Sequence, residues 1–212
     1  MIAISSSGKQ ALIAVEINNK RDFATLDSNC KHSENILYKI DKMLDNIGSS
    51  IDKNDCYALV VGPGSFTGIR IGMALVKGFC AGKESKVIPI TTFDLISYSY
   101  LRSHTIKGDF LTVVDALSGL VYIQKRDKSG KAIEEAKVIT KKELDSLSLV
   151  KIGLEEEDVA EKKVSPTAEE LLMLSLKMKD SGFEIGENQL SPLYLRKSQA
   201  ELSLEARATK KS

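Results

Sequence analysis

The sequence has few of the residue types on which specialised sites depend. It contains no Trp and only 6% aromatic residues, so its core must rely on Ile, Leu and Val. Its two histidines are far apart, and its three cysteines, Cys30, Cys56 and Cys80, form no CxxC pair. These spacings argue against a local zinc site and against a disulfide framework. With 30 Lys and Arg against 29 Asp and Glu, the basic excess of an autonomous nucleic-acid-binding protein is also missing.

Long apolar runs are missing as well. No stretch approaches the ~18 apolar residues of a membrane span, and residues 1–7 lack the basic and apolar regions of a signal peptide. We therefore expect a cytoplasmic protein without a membrane partner. Its 42% hydrophobic and 28% charged residues are typical of a globular chain. A chain of 212 residues can bury one core or divide it between two small lobes.

Apolar periodicity predicts an α/β fold with two lobes. The strands are predicted at 2–4, 11–17, 23–26, 57–61, 87–90, 110–115, 120–125, 136–139 and 149–152. The helices are predicted from Ser33 (as N-cap) to Ile47, over 66–81 and 92–101, and from Ser165-Pro166 to Lys179. We expect a first lobe over 1–103, a smaller second lobe over 104–195 and a mobile tail over 196–212.

The most distinctive motif is the glycine-rich run Gly62-Pro63-Gly64-Ser65-Phe66-Thr67-Gly68-Ile69-Arg70, between a buried strand and a helix. Such a turn can present backbone N–H groups to a phosphate. However, Ile69 stands where a P-loop needs Lys, and Thr67 stands where the dinucleotide fingerprint needs Gly. We therefore favour a strained turn that leads into a packed helix.

The helix after this turn is rich in glycine, which costs about 1 kcal/mol per residue relative to alanine. Gly68 and Gly72 share one face and would let a neighbouring element approach closely. Packing on the preceding helix and packing on another subunit both remain open. For the second case we expect Gly72→Leu to abolish complex formation while the protein stays folded.

The sequence from Gly62 to Gly72 resembles the signature of the bacterial TsaB (YeaZ-type) family. Further matches follow the same family in order: His32-Ser33-Glu34, Asp115-Ala116, Val121-Tyr122 and Pro192-Leu193-Tyr194-Leu195-Arg196. The resemblance implies an actin-like ATPase fold (ASKHA, ribonuclease-H-like) with a reduced second lobe. It also implies a non-catalytic scaffold or activator subunit for the tRNA modification N6-threonylcarbamoyladenosine (t6A).

The family's partners are implied in the same way. The chain would bind the catalytic paralogue TsaD and, with it, the ATPase TsaE, and it would form a homodimer in isolation. ATP would be used by the complex and no cofactor bound by this chain alone, while tRNA would be met only through the complex. The residues expected at the partner interface are His32, Ile36, Ile40, Gly62, Gly64, Ser65, Phe66, Thr67, Gly68, Arg70, Gly72, Met73, Val76 and Phe79.

The chain departs from the family pattern at the first hairpin and in the second lobe. Actin-like ATPases carry an Asp in the first hairpin for metal-bound nucleotide, and the family segment is usually Asp-Thr-Ser, whereas this chain has Ser5-Ser6-Ser7. A hydroxyl lacks the charge that Mg²⁺ prefers. Leu117 and Leu120 likewise stand where the family commonly has charged residues.

Two other functions stay open beside the scaffold. An actin-like-fold enzyme, either a small-molecule kinase or a metallopeptidase, would need a general base such as Asp115, for which we favour a turn or capping role. A direct tRNA binder would use Lys210-Lys211. We expect the acidic run Glu155–Asp158 to be a solvated loop and His32 to mark a helix start or an interface.

Overall fold

The computed structural model describes residues 1–27 and 32–196 of the chain. The strands in chain order are β1 (Ile2–Ser5), β2 (Ala11–Ile17), β3 (Lys20–Leu26), β4 (Cys56–Val60), β5 (Lys86–Ile90), β6 (Phe110–Asp115), β7 (Leu120–Arg126), β8 (Lys137–Thr140), β9 (Val150–Leu154), β10 (Lys162–Val164) and β11 (Ile185–Gly186). The helices are α1 (His32–Ile47), α2 (Phe66–Cys80), α3 (Thr92–Ser103), α4 (Lys141–Ser146) and α5 (Ala168–Asp180).

The two sheets repeat one strand order. In the first sheet the order is β11-β5-β4-β1-β2-β3, with β1, β2 and β3 antiparallel and β1, β4 and β5 parallel. The second sheet follows the order β10-β9-β6-β7-β8 with the same directions. An antiparallel meander followed by two parallel strands therefore occurs twice.

The second repeat is shorter than the first. Its connection from β8 to β9 contains only the six-residue α4, whereas the 16-residue α1 and a 3₁₀ turn join β3 to β4. A loop joins β9 to β10, where α2 joins β4 to β5. The fold class predicted from the sequence, a two-lobed actin-like α/β fold with a reduced second lobe, is confirmed.

Each lobe ends in a helix that packs on the other lobe. α3 follows the first sheet but buries Phe93 and Ile96 against Phe110 and Ile152 of the second sheet. α5 follows the second sheet but packs on the first, where Leu171 lies among β1, β2, β4 and β5 residues. β11 then pairs with β5. Part of the segment assigned to the second lobe, 104–195, thus lies on the first sheet.

Helix starts depart from the sequence prediction. α5 begins at Ala168 with Thr167 as N-cap, because the Thr167 hydroxyl accepts from the Glu170 N–H and the Glu170 carboxylate accepts from the Thr167 N–H. The prediction of Ser165 as N-cap was therefore wrong. α1 already begins at His32, so Ser33 lies within the helix and not at its cap. No helix in the described ranges is long and apolar enough to cross a bilayer.

Candidate functional site

The glycine-rich turn after β4 is held by a neighbouring backbone. Gly64 has φ 154°, and a Cβ at this position would lie 2.4 Å from the Ser7 carbonyl oxygen, so only glycine fits. Ser65 donates its N–H to that same oxygen over 2.7 Å, while its hydroxyl caps α2 by accepting from the Gly68 N–H. The expected strained turn that leads into a packed helix is confirmed.

Two glycines of α2, Gly68 and Gly72, face their own lobe. A Cβ on Gly68 would lie 1.8 Å from the Ser6 carbonyl oxygen, and one on Gly72 would meet Ser6 Oγ at 2.7 Å and Leu59 Cδ1 at 2.8 Å. The close neighbour is therefore the β1–β2 turn and β4, not a helix of another subunit and not the preceding helix. A leucine at Gly72 would have to displace the Ser6 and Leu59 side chains, so Gly72→Leu would disturb the first lobe and would not test a subunit interface alone.

The β1–β2 turn forms the floor of a cleft between the lobes. Ser5, Ser6 and Ser7 are all buried, and the Ser6 hydroxyl donates to the Gly68 carbonyl over 2.8 Å. The Ser7 hydroxyl lies 3.4 Å from the hydroxyl of Thr92, which itself donates to Pro63. Ser5, which stands in place of the Asp of the resembling family segment, is buried beside these two bonded hydroxyls.

Above this floor the two lobes enclose a cavity of about 1110 Å³. Lys9, the glycine-rich turn and the start of α2 line it from the first lobe, and residues 115–117 and Tyr122 line it from the second. The loops 156–158 and 193–196 complete the wall. The Arg196 guanidinium donates to the Ala116 carbonyl over 3.5 Å and so links the last described residue to the second lobe.

A carboxyl group in this cavity has an altered acidity. Burial raises the pKa of Glu157 to about 7, against the opposing effect of the Asp115 N–H, which donates to its carboxylate over 2.9 Å. Asp115 itself accepts from the Leu117 N–H, which confirms the turn role predicted for it. The expectation of a solvated acidic loop was wrong for Glu157, because burial against the second lobe is not visible in a run of charged letters.

Three side chains at the mouth of the cavity form a stack. The rings of Phe66 and Tyr194 lie 5.2 Å apart with 27° between their planes, and the Arg70 guanidinium lies 3.8 Å from the Phe66 centroid. Arg70 also donates its Nε–H to the Tyr194 hydroxyl over 3.1 Å. Two residues expected at a partner interface, Phe66 and Arg70, therefore join the motif 192–196 near the other end of the chain.

The remaining expected interface residues divide between surface and core. Thr67 of α2 and Ser65 before it are exposed, as are Phe66 and Arg70. Some of the others are buried in the core of the first lobe, namely Ile36, Ile40, Met73, Val76 and Phe79. α1 and α2 instead expose Leu37 (43%), Tyr38 (63%) and Ala74. The side chain of His32 lies outside the described residues, as do Cys30 and the tail from 197.

Metal ligands do not converge in the described ranges. No group of three or more His, Cys, Asp and Glu side chains there has a geometry for holding an ion. His104 stacks on Tyr100 with 4.5 Å between ring centroids and lies beside the Ser103 hydroxyl at the end of α3. Cys56 and Cys80 are buried and free.

Comparisons with known proteins agree with this geometry. The family described as "TsaD: tRNA N6-adenosine threonylcarbamoyltransferase" matches residues 27–201. The chain is 24% identical to "tRNA threonylcarbamoyladenosine biosynthesis protein TsaB" of Escherichia coli over 192 residues, which are 80% of this chain and 83% of that protein. It is 26% identical to the protein of the same name from Haemophilus influenzae over 125 residues, which are 59% of this chain and about half, 52%, of that protein.

Solved structures agree in fold. A Pseudomonas aeruginosa protein described as similar to the peptidase YEAZ superimposes with a TM-score of 0.75 at 19% identity, over 92% of this chain and 98% of that chain. YeaZ from Pseudomonas aeruginosa gives a TM-score of 0.73 at 20% identity over the same shares. The chain therefore belongs to the tRNA N6-adenosine threonylcarbamoyltransferase (TsaD) family, and its resemblance to the TsaB (YeaZ-type) proteins is confirmed.

Proposed function

We propose that this chain is a non-catalytic scaffold or activator subunit for t6A modification of tRNA in the cytoplasm. It binds the catalytic TsaD paralogue and, together with it, TsaE. The observation that carries the proposal is the β1–β2 turn, where buried Ser5 stands in place of the Asp and its neighbours Ser6 and Ser7 bond to the protein's own oxygens. A serine hydroxyl supplies no charge to a metal-bound nucleotide. ATP is accordingly used by the complex, and tRNA is met through it.

The partner surface in this proposal is the outer side of α1 and α2. Leu37 and Tyr38 are exposed there, and small Ala74 lies on the exposed side of α2. Apolar side chains that cluster on one surface favour association. The same surface pairs two copies of the chain when TsaD is missing, since a two-fold dimer uses one patch twice.

Reconstitution tests the role of the chain. We expect tRNA adenosine modification by the cognate TsaD and TsaE to require this chain, and we expect the chain alone to turn over no ATP. Modification of equal rate without the chain would exclude the scaffold role.

A charge on the outer face tests the surface. Ala74→Arg adds a cation to the exposed side of α2, and we expect it to abolish co-elution with TsaD because a charge buried at an interface without a partner is costly. Ile133→Arg adds the same charge at an exposed apolar position of the second lobe and serves as the control. Equal co-elution of the two variants would refute the placement of the surface on α2.

An actin-like-fold enzyme is the second candidate, and the carboxyl group of Glu157 favours it. A group with a pKa of about 7 in a cavity of about 1110 Å³ has the properties of a general base or acid. This candidate predicts phosphoryl transfer or peptide hydrolysis by the purified chain, lost in Glu157→Gln. Turnover that is equal in the wild type and this variant would come from a contaminant or another site and would reject the candidate.

A further inference from the structure

One segment of the inter-lobe cavity wall has no role in the proposed function. Residues 190–196, which we call the strap, cross from the first lobe to the second. Leu190 is buried in the core of the first lobe, and the Leu193 N–H donates to the Val61 carbonyl over 2.9 Å. Leu193 also packs against the core between α3 and the second sheet, and the Arg196 guanidinium donates to the second lobe. The strap is therefore anchored in both lobes, and its residues from Leu193 onward line the cavity.

The middle of the strap is held to α2 through the side chain of Tyr194. This residue lies between two leucines of the strap that pack inward, and it is itself 44% exposed. Its ring stacks on Phe66, and its hydroxyl accepts the Arg70 Nε–H over 3.1 Å. Because Phe66 and Arg70 both belong to α2, a change at either of these side chains acts directly on the strap.

Arg70 belongs to the cavity wall and to the outer face of α2 at the same time. It is exposed and lies four residues before Ala74, on the same side of the helix. In the part of the chain that the structure describes, only its Nε–H is donated to a protein acceptor, and α2 contains neither Asp nor Glu. A guanidinium can bind a carboxylate through both Nη groups while Nε keeps its own acceptor. The outer end of Arg70 is thus a site for an acidic side chain that approaches α2 from outside.

We propose that Arg70 and Tyr194 are a latch between the outer face of α2 and the cavity wall. A carboxylate of a protein that docks on α2 binds the Arg70 Nη groups, fixes the guanidinium and shields its bond to Tyr194 from water, which strengthens that bond. The strap is then held in place, and the exchange of molecules between the cavity and the solvent slows. This inference rests on the proposed function for the position of the partner, and it adds that the partner's contact is acidic and controls the cavity.

Hydrogen exchange of the Leu193 amide reports the opening of the strap, because that amide is bonded to Val61. Tyr194→Phe keeps the ring and removes the hydroxyl, and we expect about fivefold faster exchange of this amide in the isolated chain. Tyr98→Phe removes a hydroxyl from α3, away from the cavity lining, and should leave the exchange unchanged. The amides of β4 serve as the internal reference, since a change in global stability would alter their exchange as well.

A carboxylate placed on α2 itself can replace the partner. Ala74→Glu puts a carboxylate one helical turn from Arg70, and we expect Leu193 exchange to slow about twofold, whereas the uncharged Ala74→Gln should not slow it. Addition of TsaD should slow the exchange of the same amide in the wild type. In Tyr194→Phe, TsaD should still co-elute, because the outer face of α2 is unchanged, but the slowing should be lost.

Equal Leu193 exchange in the wild type and in Tyr194→Phe, or in Ala74→Glu and Ala74→Gln, would overturn the latch. It is equally refuted if TsaD co-elutes with the wild type without slowing this exchange, or slows it as much in Tyr194→Phe. A failure of TsaD to co-elute with the wild-type chain would instead contradict the proposed function, and the two Ala74 variants would then decide the latch alone.

Discussion

The inward-facing glycines of α2 give a graded stability prediction. In Gly68→Ala the new Cβ would stand 1.8 Å from a backbone oxygen of Ser6, so the helix start and the β1–β2 turn must separate by more than an ångström. Overpacking of this kind typically costs 1–3 kcal/mol and occasionally more, and the separation also strains the 2.8 Å bond from the Ser6 hydroxyl to Gly68. About 3 kcal/mol for the overpacking and about 1 kcal/mol for the strained hydrogen bond, less about 1 kcal/mol of gained helix propensity, give an expected net loss of about 3 kcal/mol.

The same substitution at two other glycines of this helix should change the stability by smaller amounts. In Gly72→Ala the Cβ would meet two side-chain ends, Ser6 Oγ and Leu59 Cδ1, which can move, so we expect a loss of about 1 kcal/mol. In Gly78→Ala nothing lies within 4 Å, so the variant should gain about 0.5–1 kcal/mol from helix propensity alone. The three substitutions add the same methyl group to one helix and differ only in what it meets.

Thermal and urea unfolding followed by circular dichroism would measure the series. One kcal/mol shifts the Tm of a chain of this size by about 2–4 °C, so Gly68→Ala should melt ~10 °C below the wild type and Gly78→Ala slightly above it. Protein concentration must be equal throughout, because association makes Tm concentration-dependent. If Gly68→Ala were as stable as Gly78→Ala, α2 would not pack on the β1–β2 turn as described.

Two further predictions concern charges between and within the lobes. For Glu157, a folded-state pKa of about 7 against 4.5 means that wild-type stability falls as pH rises from about 4.5 through 7. Glu157→Gln should therefore gain about 2–3 kcal/mol relative to wild type in urea unfolding between pH 5 and pH 8, whereas Glu156→Gln at the exposed neighbour should gain nothing. For Arg126, which is 2% exposed and bonded to Asp94 over 2.9 Å, Arg126→Met should cost about 3 kcal/mol in the same assay. Lys125→Met, which breaks only partly exposed surface pairs, should cost less than 1 kcal/mol, and equal costs would contradict a buried link between α3 and β7.

Apolar runs made much of the first lobe predictable. β2 matches its predicted range, β4 begins one residue earlier than predicted, and α2 follows the glycine-rich turn as expected. β10 (Lys162–Val164) and β11 (Ile185–Gly186) were not predicted, because a strand of two or three residues carries no periodicity of its own. Both exist through pairing with strands that are brought to them by the tertiary fold.

The candidate site was predictable where its cause is local. The glycines of the turn follow from backbone geometry, and the Asp115 turn follows from a short polar side chain after a strand. Helical spacing also identified the shared face of Gly68 and Gly72. Spacing alone, however, does not say whether a strand, a helix or another subunit packs against that face. The burial of Glu157 and the stack of Phe66 on Tyr194 join residues far apart in sequence, so no local pattern contains them.

The exchange of terminal helices has a consequence for how the polypeptide acquires its structure. A fragment that stopped at residue 103 would expose Ala3, Ala58 and Ile88 to water, since α5, which shields them, is encoded more than 60 residues later. A fragment that began at 104 would equally lack Phe93 and Ile96 from its interior. We therefore expect that neither half folds by itself. During synthesis, one face of the first sheet stays uncovered until residues 168–180 have been made and can pack on it.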